Sequence, residues 1–322
     1  MAEARRVLVT GATGYVGSRL VPVLLEAGHT VLAATRSEGR LDDFPWGDHV
    51  EARVFDIEDD DLVGAAVEGA DVVIYLVHSM ESEDFVTKDR EAAERVAAAC
   101  ERAGVGQVVY LSGLIPPGED LSDHLRSRLE VERVFLDAAV PATVLRAAMV
   151  VGSGSTSFEL LRRLSERVPL VTPVPAWMRS RLQPVAVEDV VQTVAAALAG
   201  APRNRHYDLG GDEVVTYPEL LATFAEVAGL RRRRVLVPGL PRAVVGRACA
   251  WISGLPHPTV VSLVDSLAHE MVCQEDDVRR ELLPAGYSFT SLRDALRRSL
   301  DEHGAGTTLH GDIQAGAVTD PA

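Results

Sequence analysis

The stretch that most limits what this chain can fold into lies near its start. The apolar run Arg6-Val7-Leu8-Val9-Thr10 meets Gly11-Ala12-Thr13-Gly14-Tyr15-Val16-Gly17, and a helical pattern follows to Ala27. A strand that feeds a helix through three glycines at this spacing predicts a tight β-to-α turn. Gly11 lets the chain reverse, Gly14 lets the backbone approach a ligand, and Gly17 lets helix and strand lie close. The first turn of such a helix carries free amides and the positive end of the helix dipole, which suit a phosphate.

Short apolar runs and helical stretches then alternate. Strands are expected near residues 30–34, 52–55, 72–77, 107–112 and 143–146, with helices near 15–27, 62–67, 85–103 and 121–139. The runs are Val-rich and barely alternate in polarity, as strands covered on both faces do. Gly28, Gly69 and Gly104 stand where helices should stop. The class is therefore α/β, a Rossmann-type doubly wound parallel sheet spanning residues 1–150.

After Val151 the rhythm breaks. The stretch 168–184 holds four prolines and reads as ordered but irregular. A helix near 187–198 and a strand near 206–209 should return residues 184–210 to the first domain. The rest of 151–302 reads as a smaller, mainly helical C-terminal lobe for substrate, with Thr216 and Glu219 spaced as a capping box. Residues 303–322 lack periodicity and read as a flexible tail.

Bulk properties exclude several roles. A net charge of −15 argues against nucleic acid or an anionic membrane as partner. The run Arg231-Arg232-Arg233-Arg234 leads straight into Val235-Leu236-Val237 and reads as a solvated strand entry. Cys100, Cys249 and Cys273 form no C-x-x-C pair, which fits a reducing compartment and no disulfide framework. No apolar window of about 18 residues is present, so no membrane span is expected. The first strand begins too early for a signal peptide, and the expected location is cytoplasmic. His269-Glu270 lacks the second histidine of a zincin helix, so no metal site is expected. Trp251, Val244, Val245, Ala248, Ile252, Val260, Val261, Val264 and Leu267 make two apolar helical faces. These suit core, the subunit interface of a homo-oligomer, or a wall of a hydrophobic substrate pocket.

A glycine turn opening a βαβ unit is a dinucleotide site. NAD enzymes usually end the second strand with an acid that holds the ribose 2′-hydroxyl. This chain has Ala33-Ala34-Thr35-Arg36-Ser37 there. Arg36 can pair with a 2′-phosphate, aided by the Thr35 or Ser37 hydroxyl, so NADP(H) is favoured and NAD(H) is possible. Asp56 and Ile57, just after the third strand, are placed to meet the adenine. His78 ends the fourth strand, where it either binds in the cleft or bonds to loop backbone. Arg146 ends the sixth and either holds an anionic substrate or joins an internal ion pair.

The element spacing resembles the short-chain dehydrogenase/reductase superfamily in its extended and atypical branches. Thr10-Gly11-Ala12-Thr13-Gly14-Tyr15-Val16-Gly17 is similar to its T-G-x-x-G-x-x-G turn. Gln183-Pro184-Val185-Ala186-Val187-Glu188-Asp189-Val190 resembles the segment before the helix that frames the substrate site, and His206-Tyr207-Asp208-Leu209-Gly210-Gly211 a later strand and turn. Leu76-Val77-His78-Ser79-Met80, Ser122-Asp123-His124-Leu125-Arg126 and Met149-Val150-Val151-Gly152-Ser153-Gly154-Ser155 resemble the NmrA-related, YbjT-like NAD(P)-binding proteins. The resemblance implies a nicotinamide cofactor across the C-terminal strand edge, with Leu76, Val77 and His78 near its middle and Ser112 near the nicotinamide.

Typical superfamily enzymes use a Tyr-x-x-x-Lys pair, which this chain cannot supply. None of its six tyrosines has lysine four residues on, and its one lysine, Lys88, falls in another helix. His124-x-x-x-Arg128 occupies the corresponding helix, on one face. Imidazole can act as a general acid near neutral pH, and Arg128 can hold ribose or phosphate oxygens. The same guanidinium disfavours the imidazolium, which leaves a passive contact open as well. His124, Arg128 and Ser112 are thus the catalytic candidates. Three functions follow: an NADPH-dependent oxidoreductase of an unknown small molecule, a non-catalytic NADP(H) sensor, or a cofactor-assisted epimerase or dehydratase.

Overall fold

The computed structural model describes residues 3–78, 84–118, 121–168 and 171–304. Ser79, Met80 and residues 305–322 of the anticipated tail lie outside this set. Seven strands form one parallel sheet: β1 (Arg6–Thr10), β2 (Thr30–Thr35), β3 (Glu51–Val54), β4 (Val72–Tyr75), β5 (Gln107–Gly113), β6 (Ala142–Ala147) and, after shorter strands, β11 (Arg205–Leu209). Their order is β3-β2-β1-β4-β5-β6-β11, with β11 parallel to β6. Direction of winding reverses between β1 and β4, the place where such sheets open a crevice at their carboxyl ends.

Helices α1 (Tyr15–Glu26) and α6 (Val187–Ala196) cover one face of the sheet. Helices α2 (Asp60–Val67), α3 (Phe85–Ala103) and α4 (Asp123–Asp137) cover the other. Both faces are apolar because both are covered, which is why the strands lack polar alternation. Pro22 lies inside α1 and supplies no N–H to the Ser18 carbonyl one turn earlier. The Trp46 indole N–H donates to that carbonyl at 3.2 Å, so the helix continues without an orphaned acceptor. Ser122 caps α4, its Oγ accepting from the Leu125 amide.

The C-terminal lobe has its own apolar core. It contains α5 (Thr156–Arg167), α7 (Tyr217–Val227), α8 (Arg242–Ser253), α9 (His257–Ser266) and α11 (Leu292–Gly304), whereas α10 (Asp277–Glu281) packs against β11 and the core of the sheet. Short strands β7 (Val150–Val151), β8 (Val171–Pro175), β9 (Arg181–Leu182), β10 (Val185–Ala186), β12 (Val215–Thr216) and β13 (Arg233–Val237) tie the lobe together. Thr216 and Glu219 make the full capping box of α7.

The stretch expected to be irregular holds β8, a 3₁₀ turn at Ala176–Arg179 and β9. Pro173, in the middle of the β8–β13 ladder, and Pro175, at its end, are tolerated because the two-stranded ladder leaves each strand a free edge. The arginine run enters β13, as its sequence suggested, and Arg232 Nε donates to the Ser165 carbonyl. The two apolar faces in α8 and α9 have different fates. Val260 and Val264 are core, whereas Val244 and Trp251 stand 54% and 86% exposed on α8. The three thiols are free, and burial pushes those of Cys100, Cys249 and Cys273 up to about 12, 11 and 12. No helix among the described residues is long and apolar enough to cross a membrane.

Candidate functional site

A cleft of about 940 Å³ runs along the carboxyl edge of the sheet and on into the C-terminal lobe. Gly11, Thr13, Gly14, Tyr15, Val16 and Gly17 line it, while Ala12 is fully buried in the core beneath. Gly11 has φ +70°, a backbone conformation that side chains disfavour, and its carbonyl accepts from the Gly14 amide at 2.9 Å. A Cβ on Gly17 would stand 2.1 Å from the Gly11 carbonyl oxygen and 2.9 Å from Ala12 Cα. Gly14, which has no side chain to cap α1, lines the cleft together with the first residues of the helix, Tyr15 to Gly17. Thr10 fastens the adjacent edge: its Oγ1 donates to the Ile74 carbonyl at 3.2 Å and accepts from the Leu76 amide at 3.1 Å. That bond sets the chain where Leu76, Val77 and His78 border the cleft.

At the end nearest β2, Arg36 and Arg40 both line the opening. The Thr35 hydroxyl is engaged in the local turn, donating to the Ser37 carbonyl at 3.0 Å and accepting from its amide at 3.3 Å. Thr35 is therefore less free to meet a phosphate than its position suggested. The wall after β3 also differs from expectation. Phe55, Ile57 and Glu58 line the cleft, whereas Asp56 does not, because its carboxylate turns back to accept from the Glu58 amide at 3.0 Å. Arg95, paired with Asp60, donates to the Ile57 carbonyl at 2.7 Å and holds that wall in place.

Ser112, His124 and Arg128 meet at the middle of the cleft, where β5 ends and α4 begins. The buried Ser112 hydroxyl finds no hydrogen-bond partner among the described residues. Arg128 is buried, and a Cβ on Gly113 would stand 3.9 Å from its Cγ. From α3, the buried Asp89 accepts from Ser127 at 2.6 Å and binds the two helices together. Burial and then Arg128 push His124 down to about 3. Arg128, followed by burial, pushes His78 down to about 4, although its surface is open to the cleft. Both imidazoles are neutral at pH 7 and offer N–H donors rather than acidic protons.

Lys88, assigned by sequence to the wrong helix for a Tyr-x-x-x-Lys pair, does line the cleft from α3. Arg146 is an internal ion pair. It binds Glu132 through both oxygens at 2.8 and 2.6 Å and does not line the cleft. Sequence reasoning also missed Arg40, Arg95, Tyr217 and Gly152. A Cβ on Gly152 would stand 2.0 Å from Tyr15 Oη and 2.6 Å from Val187 Cγ1, so that glycine lets the lobe close on α1. For Arg40, the signal was the spacing of four residues from Arg36.

Glycines that a Cβ would block, uncapped amides, flanking cations and an orphaned buried hydroxyl fit a nicotinamide dinucleotide. The chain matches the NAD(P)H-binding family over residues 11–163. It is 30% identical over 231 residues to a (4-alkanoyl-5-oxo-2,5-dihydrofuran-3-yl)methyl phosphate reductase of Streptomyces griseus, covering 69% of this chain and 74% of that one. It belongs to the NAD(P)-binding, extended short-chain dehydrogenase/reductase superfamily. A second superfamily relative is the mitochondrial NADH dehydrogenase [ubiquinone] 1 alpha subcomplex subunit 9 of Arabidopsis thaliana, 28% identical over 264 residues. That match takes in 78% of this chain but only 65% of the subunit. The fold of a nucleoside-diphosphate-sugar epimerase from Staphylococcus aureus superposes with a TM-score of 0.73 at 16% identity, over 91% of this chain and 99% of that one.

Proposed function

We propose that this superfamily member is a cytosolic, NADPH-dependent reductase of a small carbonyl compound that works without a Tyr-x-x-x-Lys pair. The observation that carries this is a single cleft that runs from Arg36 and Arg40, past the glycine turn, to Ser112, His124 and Arg128. Arg36 and Arg40 would hold the 2′-phosphate and select NADPH over NADH. The α1 amides and Gly14 would hold the pyrophosphate, Phe55 and Ile57 the adenine, and Leu76 to His78 the middle of the cofactor. When bound, the cofactor supplies a hydride to the carbonyl carbon.

The chain's part is to place the carbonyl and stabilise its oxygen as the C=O bond becomes an alcohol. The Ser112 hydroxyl and the neutral His124 N–H are the donors for that oxygen, and the proton it finally takes comes from water through the open cleft. The Arg128 guanidinium favours the developing negative charge and disfavours an imidazolium, so a neutral donor at His124 is the form its setting supports. The Streptomyces relative, a reductase by name, is in keeping with this reading.

A second reading, an NADP(H) sensor without turnover, draws on the same depression of both histidines, since neither is an acid at neutral pH. A fluorescence titration with NADPH and NADH, followed by NADPH oxidation against a panel of ketones, aldehydes and enones, separates the two. The reductase reading expects tighter NADPH binding and carbonyl-dependent oxidation that falls at least tenfold in His124→Ala. Binding with no oxidation by any member of the panel would leave the sensor. The exposed stripe of Val244, Ala248 and Trp251 on α8 is our candidate homo-oligomer face, to be tested by sedimentation of Trp251→Glu.

A further inference from the structure

The cleft changes character along its length. Its charged lining comes entirely from residues 36–128, and the lining contributed by residues 147–271 carries no charged side chain. That far end is walled by Met149, Leu160, Leu182, Leu263, Leu267 and Met271. Three stretches, 149–160, Leu182 and 263–271, supply these six side chains, so the wall is a product of tertiary packing. Leu263 on α9 and Leu267 at its C-terminal cap are partly exposed and line the cleft, beside the buried Val260 and Val264 on the same face. Pairing across β9 holds the base of this wall: the Met271 amide donates to the Arg181 carbonyl at 2.8 Å, and the Gln183 amide to the Met271 carbonyl at 3.0 Å.

An anionic substrate group would find no cation among the described residues that line this end. The N-terminus of α5, Gly154 to Ser157, lines this end, where the Ser155 hydroxyl accepts from the Phe158 amide at 3.2 Å and the buried Glu159 carboxylate is held by Arg162 and Arg163. The Ser266 hydroxyl is spent on the Ser262 carbonyl at 2.9 Å. Burial keeps the Tyr217 phenol protonated, so it too adds no charge. A diphosphate brought into such a wall would lose its hydration without gaining cations, which is unfavourable. An alkyl or alicyclic body placed there gains burial instead.

We infer that the far end of this cleft takes an uncharged carbonyl compound with an apolar body, and that it excludes nucleoside-diphosphate sugars. The inference rests on the reductase reading for the word carbonyl, but not for the apolar site itself. This end therefore differs in chemistry from what a nucleotide-sugar substrate requires, even though the epimerase fold superposes on the chain.

The test uses the full chain and a series of 2-alkanones from butanone to dodecanone, with UDP-glucose as the contrasting probe. Binding is read by calorimetry with and without NADPH, and NADPH oxidation is read separately. Alkanone affinity should rise about fourfold per added methylene until the wall is filled, and UDP-glucose should not bind at the same concentrations. Leu267→Arg and Leu263→Gln, in the wall but away from the glycine turn, should flatten the chain-length dependence and leave the NADPH dissociation constant unchanged. Alkanone affinity independent of chain length, or UDP-glucose binding more tightly than dodecanone, overturns the inference. Failure to bind NADPH overturns the reductase reading alone, because alkanone binding is measured without the cofactor.

Discussion

The two ends of the cleft are built differently. The end at the glycine turn is built chiefly of short local runs: the turn itself, Gly11 to Gly17, the end of β2 with Arg36 and Arg40, and Phe55 to Glu58 after β3. Its recognition elements are backbone amides, glycines and fixed positive charge. The far end gathers side chains from α5, β9, α7, α9 and the segment at Met271, and under the proposed reading it would recognise a substrate by apolar area and shape. A phosphate needs donors at set positions, which a local turn provides. An apolar body needs enclosure, which only distant segments brought together can provide.

Gly17→Ala should break the comparison most severely. A methyl group there meets the Gly11 carbonyl oxygen at 2.1 Å, in a turn that has no slack, so helix and strand must part. Overpacking of this kind costs about 1–3 kcal/mol, and NADPH affinity should fall by about a hundredfold while the melting temperature drops. Leu263→Ala at the other end should leave NADPH affinity within twofold of the parent. A titration in which Gly17→Ala binds NADPH like the parent would remove the turn from the cofactor site.

Arg36→Ala combined with Arg40→Ala sharpens the comparison. Charge-assisted hydrogen bonds contribute about 1.5–3 kcal/mol, so NADPH affinity should fall roughly tenfold to a hundredfold, with NADH affinity unchanged. Both titrations need the same ionic strength, because exposed charges are screened by salt. Equal losses for the two cofactors would show that these arginines do not read the 2′-phosphate.

The smallest effect concerns the middle of the cleft. In the fold His78 and His124 are held near 4 and 3, whereas an unfolded histidine titrates near 6.5. Below pH 6.5 the unfolded chain therefore takes up protons that the folded chain refuses. The stability contributed by these groups is present above pH 6.5 and declines as pH falls toward 4. Urea midpoints measured between pH 7 and pH 5, above most carboxylate titration, should fall with acidification, and the slope should be shallower in His124→Asn. A midpoint that rises over this window would mean that the imidazoles are charged in the fold.

Much of the architecture was legible because it is local. The turn, the Val-rich strands, the glycine stops and the Thr216–Glu219 box each depend on residues within a few positions of one another. Boundaries shifted by one or two residues, as at β4, which ends at Tyr75 rather than Val77. The wall near Asp56 was misjudged because the fate of a short carboxylate is settled by the nearest free amide, here that of Glu58. Lys88 was set aside because its helix was wrong for a Tyr-x-x-x-Lys pair. Position in a motif does not say which cavity a side chain borders, and the α3–α4 contact, pinned by Asp89 and Ser127, brings Lys88 to the cleft.

By itself the sequence determined the nucleotide turn, the parallel α/β class and the lack of a Tyr-x-x-x-Lys pair. These are properties of chain stiffness, residue spacing and residue identity, which need no distant partner. Tertiary structure alone decided that Arg146 is spent on Glu132, that His124 and His78 stay neutral beside Arg128, and that the cleft ends in an uncharged wall. Each of those depends on the separation and burial of groups far apart along the chain, and electrostatic and hydrophobic free energies depend on those two quantities.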